Sequence, residues 1–283
     1  RCARVTGVQT CALPIYFTYL NEPLSLQWTL TAQNSTGMTT KNYSGSFARL
    51  ALNLANVNNL NIKGVTSAGP TGTTFVPGGR LTTQSVTGSW SGGVASNIIA
   101  GVTPNYLLSG SNVAVDGPFL TAFGVAPVDA DNVTLAPSAL NLDTEIAAGN
   151  ERYLIGTTNL RFGQLYLGNV SGTNTRDLRV PIQTRYWNGS SWVINADDNA
   201  TSFPLGSLTF ARYTLDMNSS STNVLPAASQ LTMIAGVGYI GIQKPSTGRG
   251  SFDIGINLNN RNGANLGKWT GPAWNSGPGD SAT

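Results

Sequence analysis

Side chains able to do covalent chemistry are scarce in this sequence. There is no histidine, and cysteine occurs only at Cys2 and Cys11. Ser-His-Asp and Cys-His arrangements rely on an imidazole to activate the nucleophile, so both are excluded. Carboxylate pairs remain, because a glycosidase needs only two acids flanking the scissile bond. The glutamates are Glu22, Glu145 and Glu151, and a hydrolase reading would rest on Glu145 and Glu151. The aspartates fall mostly in turn contexts, where a carboxylate accepts backbone N–H bonds. The expectation is a protein that is not an enzyme.

Binding chemistry is better represented. Asp129-Ala130-Asp131-Asn132 and Asn195-Ala196-Asp197-Asp198 are short acidic clusters with the look of oxygen-ligand loops for calcium. The ligands would be Asp129, Asp131, Asp197 and Asp198, and no other cofactor is expected. The first cluster lacks the glycine and the distal glutamate of an EF-hand loop, so an Asx turn at a strand end is the simpler expectation. Tyr186, Trp187 and Trp192 bracket the loop Asn188-Gly189-Ser190-Ser191 and could form an aromatic platform for a sugar ring. Cross-strand packing is the competing expectation for the same rings.

The elements that position these residues follow from periodicity. Between Leu178 and Tyr186, Val180, Ile182, Thr184 and Tyr186 share one face while Gln183 and Arg185 point the other way, which is the period of a half-buried strand. Asn188-Gly189 tolerates positive φ and Trp192-Val193-Ile194 begins the return, predicting a hairpin. Upstream, Phe162, Leu165 and Leu167 mark another strand, which ends in the polar loop 169–175.

This stretch also carries a resemblance. RFGQLYLGN from Arg161, followed by LRVPIQTRYWNGSSWVINADDNATSF from Leu178, resembles the C-terminal domain of MSHA (mannose-sensitive haemagglutinin) pilus biogenesis proteins of the MshQ type from Gram-negative bacteria. No molecular function is assigned to that domain. The resemblance extends upstream through Phe17-Thr18-Tyr19, TTKNYSGSF from Thr39 and DGPFLTAFGVAPVDAD from Asp116. It implies a cell-surface or secreted protein with pilus or other surface proteins as partners. Two departures stand out. Ala200 replaces a cysteine that relatives often carry after the paired aspartates, and relatives run on into a further strand where this chain stops, so a shortened C-terminus is expected.

Val5 to Ile15 reads VTGVQTCALPI, the translation of a common sequencing adapter, so residues 1–15 are expected to lie outside the fold. Both cysteines fall there, leaving no disulfide or thiolate metal site to build. With Arg1 and Arg4 set aside, the net charge falls from +3 to +1, which offers no attraction for nucleic acid. Charged residues make up 10% of the chain, too few for the Lys and Glu that usually cover helix surfaces. Ser, Thr, Asn and Val take their place, so the class is all-β. No apolar run reaches the length of about eighteen residues that spans a bilayer as a helix.

Reading in order, Leu24, Leu26, Trp28 and Leu30 alternate as a strand. Asn53 to Asn61 is undecided between helix, strand and loop. Gly64 to Gly79 reads as a long loop. Trp90 reads as a core aromatic, Phe119 to Val128 as a strand with a bulge or bend at Gly124, and Pro137 to Gly149 as the best local helix signal. Leu231 to Ile242 alternates with Met233, Ala235, Val237 and Tyr239 on one face, and Ser251 to Leu258 is the last strand. The expected architecture is tandem immunoglobulin-like β-sandwiches, predominantly antiparallel: one over 16–148, a second over 149–260, then a Gly- and Asn-rich tail over 261–283. The expected function is a non-enzymatic structural or adhesive protein of the outer surface of a Gram-negative bacterium. A carbohydrate-binding module is the alternative.

Overall fold

The computed structural model describes residues 4–5, 17–66, 73–74, 80–109, 112–142, 151–221, 224, 230–246, 248–257 and 281–282. Its regular structure is almost entirely β-strand, with a few short 3-10 turns. Contacts divide the chain into two compact units, Arg1–Leu107 with Pro118–Leu160, and Leu108–Gly117 with Arg161–Thr283.

The first unit is built from β1 (Leu24–Gln33), β2 (Lys63–Thr66), β3 (Leu81–Thr87), β4 (Val94–Pro104), β5 (Phe119–Val125) and β6 (Tyr153–Arg161). One sheet runs Arg4–Val5, β1, β4, β3, antiparallel throughout. The other runs Thr18–Tyr19, β6, β5, β2, Thr73–Thr74. Period-two alternation buries Leu24, Leu26, Trp28 and Leu30 on β1. These meet Ile98 and Val102 from the same sheet and Phe123, Val125 and Ile155 from the other in one apolar cluster. Two sheets sharing one core form a sandwich. Trp90 is half-buried against this cluster, and its indole N–H donates to the Leu50 carbonyl at 2.9 Å.

The expected bend at Gly124 is present, since the β5–β6 register shifts between Phe123 and Gly124. A side chain there would place its Cβ 2.5 Å from Arg152 Cβ, so glycine is sterically required. The undecided segment, Leu54–Asn59, is a pair of 3-10 turns kinked at Asn56, and its N-cap Asn53 accepts from the Asn56 N–H. The segment read as a long loop from Gly64 opens instead inside β2, because Val65 pairs with Ala122 far along the chain. Where helix was expected, Pro137–Ala139 is a single 3-10 turn and Leu142 bridges to Arg152; residues 143–150 lie outside the described residues, as do Cys2, Cys11, Trp269 and Trp274.

The second unit contains β7 (Gly163–Leu167), β8 (Leu178–Trp187), β9 (Trp192–Ile194), β10 (Ser202–Pro204), β11 (Leu208–Ala211), β12 (Gln230–Thr232), β13 (Val237–Ile242) and β14 (Asp253–Asn257). Long β8 is the spine of the main sheet. β7 pairs along one edge, while β9 and β13 lie end to end along the other. The pairs β10–β12 and β11–β14 complete the unit. Leu165, Val180, Ile182 and Ile240 from the main sheet share a core with Phe203, Met233 and Ile256.

One expected alternation is broken. Between Leu231 and Ile242 a turn intervenes, with Ala235 and Gly236 at φ +50° and +72°, and Ile234 and Val237 pair across it. The turn resets the phase, so Met233 is buried whereas Tyr239 is 47% exposed on the opposite face. The chain is an all-β protein of antiparallel sandwiches, packed in two layers as immunoglobulin-like domains are. Among the described residues no helix is long and apolar enough to cross a membrane.

Candidate functional site

Strand β8 has two faces of different chemistry. Val180, Ile182 and Thr184 are buried toward the core, so the pleat sends Arg179, Pro181, Gln183, Arg185 and Trp187 outward. Register then adds neighbours to this outer face. On β7, Tyr166 stands opposite Gln183 and Gln164 opposite Arg185. On β13, Tyr239 stands opposite Pro181. The guanidinium of Arg179 lies 4.4 Å from the centroid of the Tyr239 ring, and that of Arg185 lies 3.6 Å from the centroid of Tyr166. Arg185 also donates from Nε and Nη2 to Gln183 Oε1 at 2.9 and 2.7 Å. Stacking of this kind holds each cation flat against a partly exposed ring. Among the described residues neither arginine has a carboxylate partner. Asp177, at the approach to β8, accepts the Lys244 backbone N–H at 2.8 Å.

The hairpin supplies one end of this face. Trp187 and Trp192 are directly opposed, with ring centroids 5.8 Å apart in an edge-on arrangement. Asn188 Oδ1 accepts the Ser190 and Ser191 N–H groups at 3.0 and 2.8 Å, closing the loop. The third ring is Phe162, 5.8 Å from Trp192, on the residue whose carbonyl accepts the Trp187 N–H. Tyr186 does not join the expected platform. As the next residue along the strand it points to the other face, where Arg161 lies 4.3 Å from its ring centroid.

The four aspartates expected as calcium ligands fall in two units of the chain. Asp129 and Asp131 are in the first unit, Asp197 and Asp198 in the second. Asp129 Oδ1 accepts the N–H groups of Asp131 and Val133, both at 2.9 Å, while Oδ2 accepts the Tyr43 hydroxyl at 3.1 Å. Asp131 pairs with Arg49 at 3.3 Å on the surface. Asp198 is fully buried, and its Oδ1 accepts Ala200 and Thr201 N–H at 3.2 and 2.9 Å. Asp197 Oδ2 lies 2.7 Å from Arg161 Nη2, and Nη1 of the same buried arginine donates to Asn195 Oδ1. Each aspartate thus holds a turn or an arginine. Among the described residues there is no group of three or more His, Cys, Asp or Glu that could hold a metal ion. Of the proposed hydrolytic pair, Glu145 lies outside the described residues.

Two tyrosines in the first unit are electrostatically perturbed. Burial, and then the charge of Asp129, push the Tyr43 hydroxyl up to about 12. Burial, and then the charge of Glu22, raise Tyr106 as well. Tyr43 is an anchor rather than a reactive group: its ring packs edge-on against Trp90, with centroids 4.8 Å apart, and its hydroxyl accepts the Leu50 N–H.

The arrangement with binding chemistry is therefore the outer face of the β7–β8–β13 sheet together with the Trp187–Trp192 hairpin. Flat rings can stack on apolar ligand faces, and arginine and glutamine can donate to ligand oxygens. The Trp pair was picked out from the sequence, whereas Arg179 and Arg185 were not read as site residues, although a spacing of six positions puts them on one face of a strand. Tyr166, Tyr239 and Phe162 become neighbours only through strand register, which no local pattern reveals.

Comparison with known families gives two adjacent matches. DUF6701, third domain, matches residues 4–151, and DUF6701, fourth domain, matches residues 161–282. No curated protein matches the chain. Between them the two matches cover most of the sequence, and the chain belongs to the DUF6701 family, of which it carries the third and fourth domains.

Proposed function

We propose that this chain is a non-enzymatic structural and adhesive part of a protein exposed on the outer surface of a Gram-negative bacterium. In this reading the sandwiches act as rigid spacers and the outer sheet face of the second unit makes contact with a target. The observation that carries it is the partly exposed set of stacked arginines and aromatic rings on the main sheet, displayed on β8 and its neighbours rather than on a mobile loop. Binding residues mounted on paired strands are held in place before the target arrives. The absence of histidine from the sequence supports a role in contact rather than in proton transfer. The resemblance of the Arg161–Phe203 stretch to MshQ-type proteins favours a place in a type IV pilus-associated system.

An antibody raised against the chain should label intact, unpermeabilised cells, and deletion of the gene should reduce their attachment to surfaces. Labelling that appears only after permeabilisation would overturn the reading. A second reading, a carbohydrate-binding module, is favoured by the Phe162, Trp187 and Trp192 rings. Sugar binding that disappears in a folded Trp187→Ala variant would support it.

A further inference from the structure

The adhesive face just proposed has a composition that selects among targets, and the inference drawn here rests on that reading. The charged side chains carried by its strands are Arg179 and Arg185, each stacked on a tyrosine and neither paired with a carboxylate among the described residues, while Asp177 just before β8 accepts the Lys244 N–H. A guanidinium suits a carboxylate because two parallel N–H groups meet two oxygens; at Arg185, Nε and Nη2 already donate to Gln183 Oε1, which leaves the Nη1 side for a ligand. The arginines lie six positions apart along one strand, which at about 3.3 Å per residue places them roughly 20 Å apart. Their partner must therefore present anionic groups repeatedly along an extended chain. Between and beside them lie flat rings, Tyr166 and Tyr239, at 39% and 47% exposure, together with the Gln183 amide.

We propose that this sheet face binds an acidic polysaccharide of the uronic acid class. Its carboxylates meet Arg179 and Arg185, its sugar C–H groups pack against the parts of Tyr166 and Tyr239 that the arginines leave exposed and against the Trp192 ring, and its hydroxyls meet the glutamine amides. An acidic peptide would satisfy the arginines equally well. It would leave the row of rings without the flat, C–H-bearing faces that stack on them, so the polysaccharide uses more of the surface.

The test is titration of the full chain with polygalacturonate, with neutral dextran and with poly-L-glutamate, followed by calorimetry or by retention on affinity gels. Polygalacturonate should bind, weakening as salt is raised. Arg179→Gln and Arg185→Gln should each weaken it at least fivefold with an unchanged melting temperature, and Tyr239→Ala should do likewise. If Arg185→Gln melts early, the exposed Arg179→Gln decides. Poly-L-glutamate binding as tight as that of polygalacturonate, and insensitive to Tyr239→Ala, would show an electrostatic surface for acidic protein and overturn the proposal. Dextran binding that ignores both arginine changes would overturn the acidic class while leaving the adhesive face in place. No binding to any of the three would overturn the glycan assignment. Surface labelling of intact cells would then separately decide whether the parent reading stands.

Discussion

The hydroxyl of Tyr43 donates to the carboxylate of Asp129 across 86 positions of sequence, at 3.1 Å. It accepts the Leu50 N–H at 2.9 Å in the same corner, so one phenol ties two distant loops of the first unit together. Asp129 in turn accepts two N–H groups of its own loop, and the chain of bonds fixes both segments against Trp90.

The first prediction concerns alkaline pH. Folding favours the neutral phenol, raising Tyr43 from its ordinary 10.0 to about 12 through burial first and the Asp129 charge second. A raised folded value means that the native state holds its proton more tightly. This contribution to stability is complete below pH 10 and is lost as pH rises through about 12. Urea midpoints should fall over that window in the native protein. Tyr43→Phe should fall less steeply while starting about 1 kcal/mol lower at neutral pH, where Asp129 and the Leu50 N–H lose their partner. Tyr106, raised in the same direction by burial, should leave part of the slope in the variant. An identical slope in both proteins would refute the assignment to Tyr43.

The second prediction separates a buried cation from a surface ion pair. Arg161 is only 7% exposed and serves Asn195, Asp197 and the Tyr186 ring together. Arg161→Met should destabilise the chain by about 2–4 kcal/mol, mainly because the fully buried Asn195 amide loses its donor. Asp197 is half exposed, at 50%, so Asp197→Ala should change stability by less than about 1 kcal/mol. Equal losses in denaturant unfolding would mean that the ion pair, and not the buried amide, dominates.

How far the sequence discloses these features depends on the range of the interaction. Alternation along Leu24–Leu30 and Leu178–Tyr186 is local, and both strands are where their period puts them. The bend at Gly124 was legible because glycine marks a close backbone approach. The Ile234–Val237 turn was hidden because Ala235 is not a residue expected at positive φ, and missing it assigned Tyr239 to the wrong face. Strand β2 was hidden because its partner is β5, more than fifty residues later. The candidate site divides along the same line. Trp187 and Trp192 flank a two-strand turn and were visible, whereas the Arg185–Tyr166 stack depends on the pairing of β7 with β8.

The third prediction addresses calcium. Asp129 spends Oδ1 on backbone N–H groups and Oδ2 on the Tyr43 hydroxyl, Asp198 spends Oδ1 on backbone N–H groups, and Asp131 and Asp197 face arginines. Calcium would have to displace these bonds and gather six to eight oxygens in all, more than the two carboxylates of either pair supply. Millimolar calcium and excess EDTA should therefore leave the melting temperature within about one degree of each other. A stabilisation of several degrees, as tight binding to the native state would give, would show that these loops rearrange around the ion.

The fourth prediction tests what holds the Asn195–Asp198 loop against β8. Gly236 has φ +72°, its N–H donates to the Asp198 carbonyl at 2.8 Å, and its own carbonyl accepts the Thr184 N–H at 2.9 Å. A Cβ at this position would lie 2.4 Å from the Asn195 carbonyl oxygen. The obstacle is backbone and cannot swing aside, so Gly236→Ala adds a steric displacement of the loop to the left-handed strain, for a loss of about 3 kcal/mol. Gly189→Ala is the control. Its φ is +100°, but the nearest atom is 3.8 Å away, so it should cost only the conformational term of about 1–2 kcal/mol. Because Gly236 and Arg161 both hold the Asn195–Asp198 loop, the double variant with Arg161→Met should lose less than the sum of the two single changes. Strict additivity in urea unfolding would mean that the two residues secure the loop independently, and that the loop does not move as one piece.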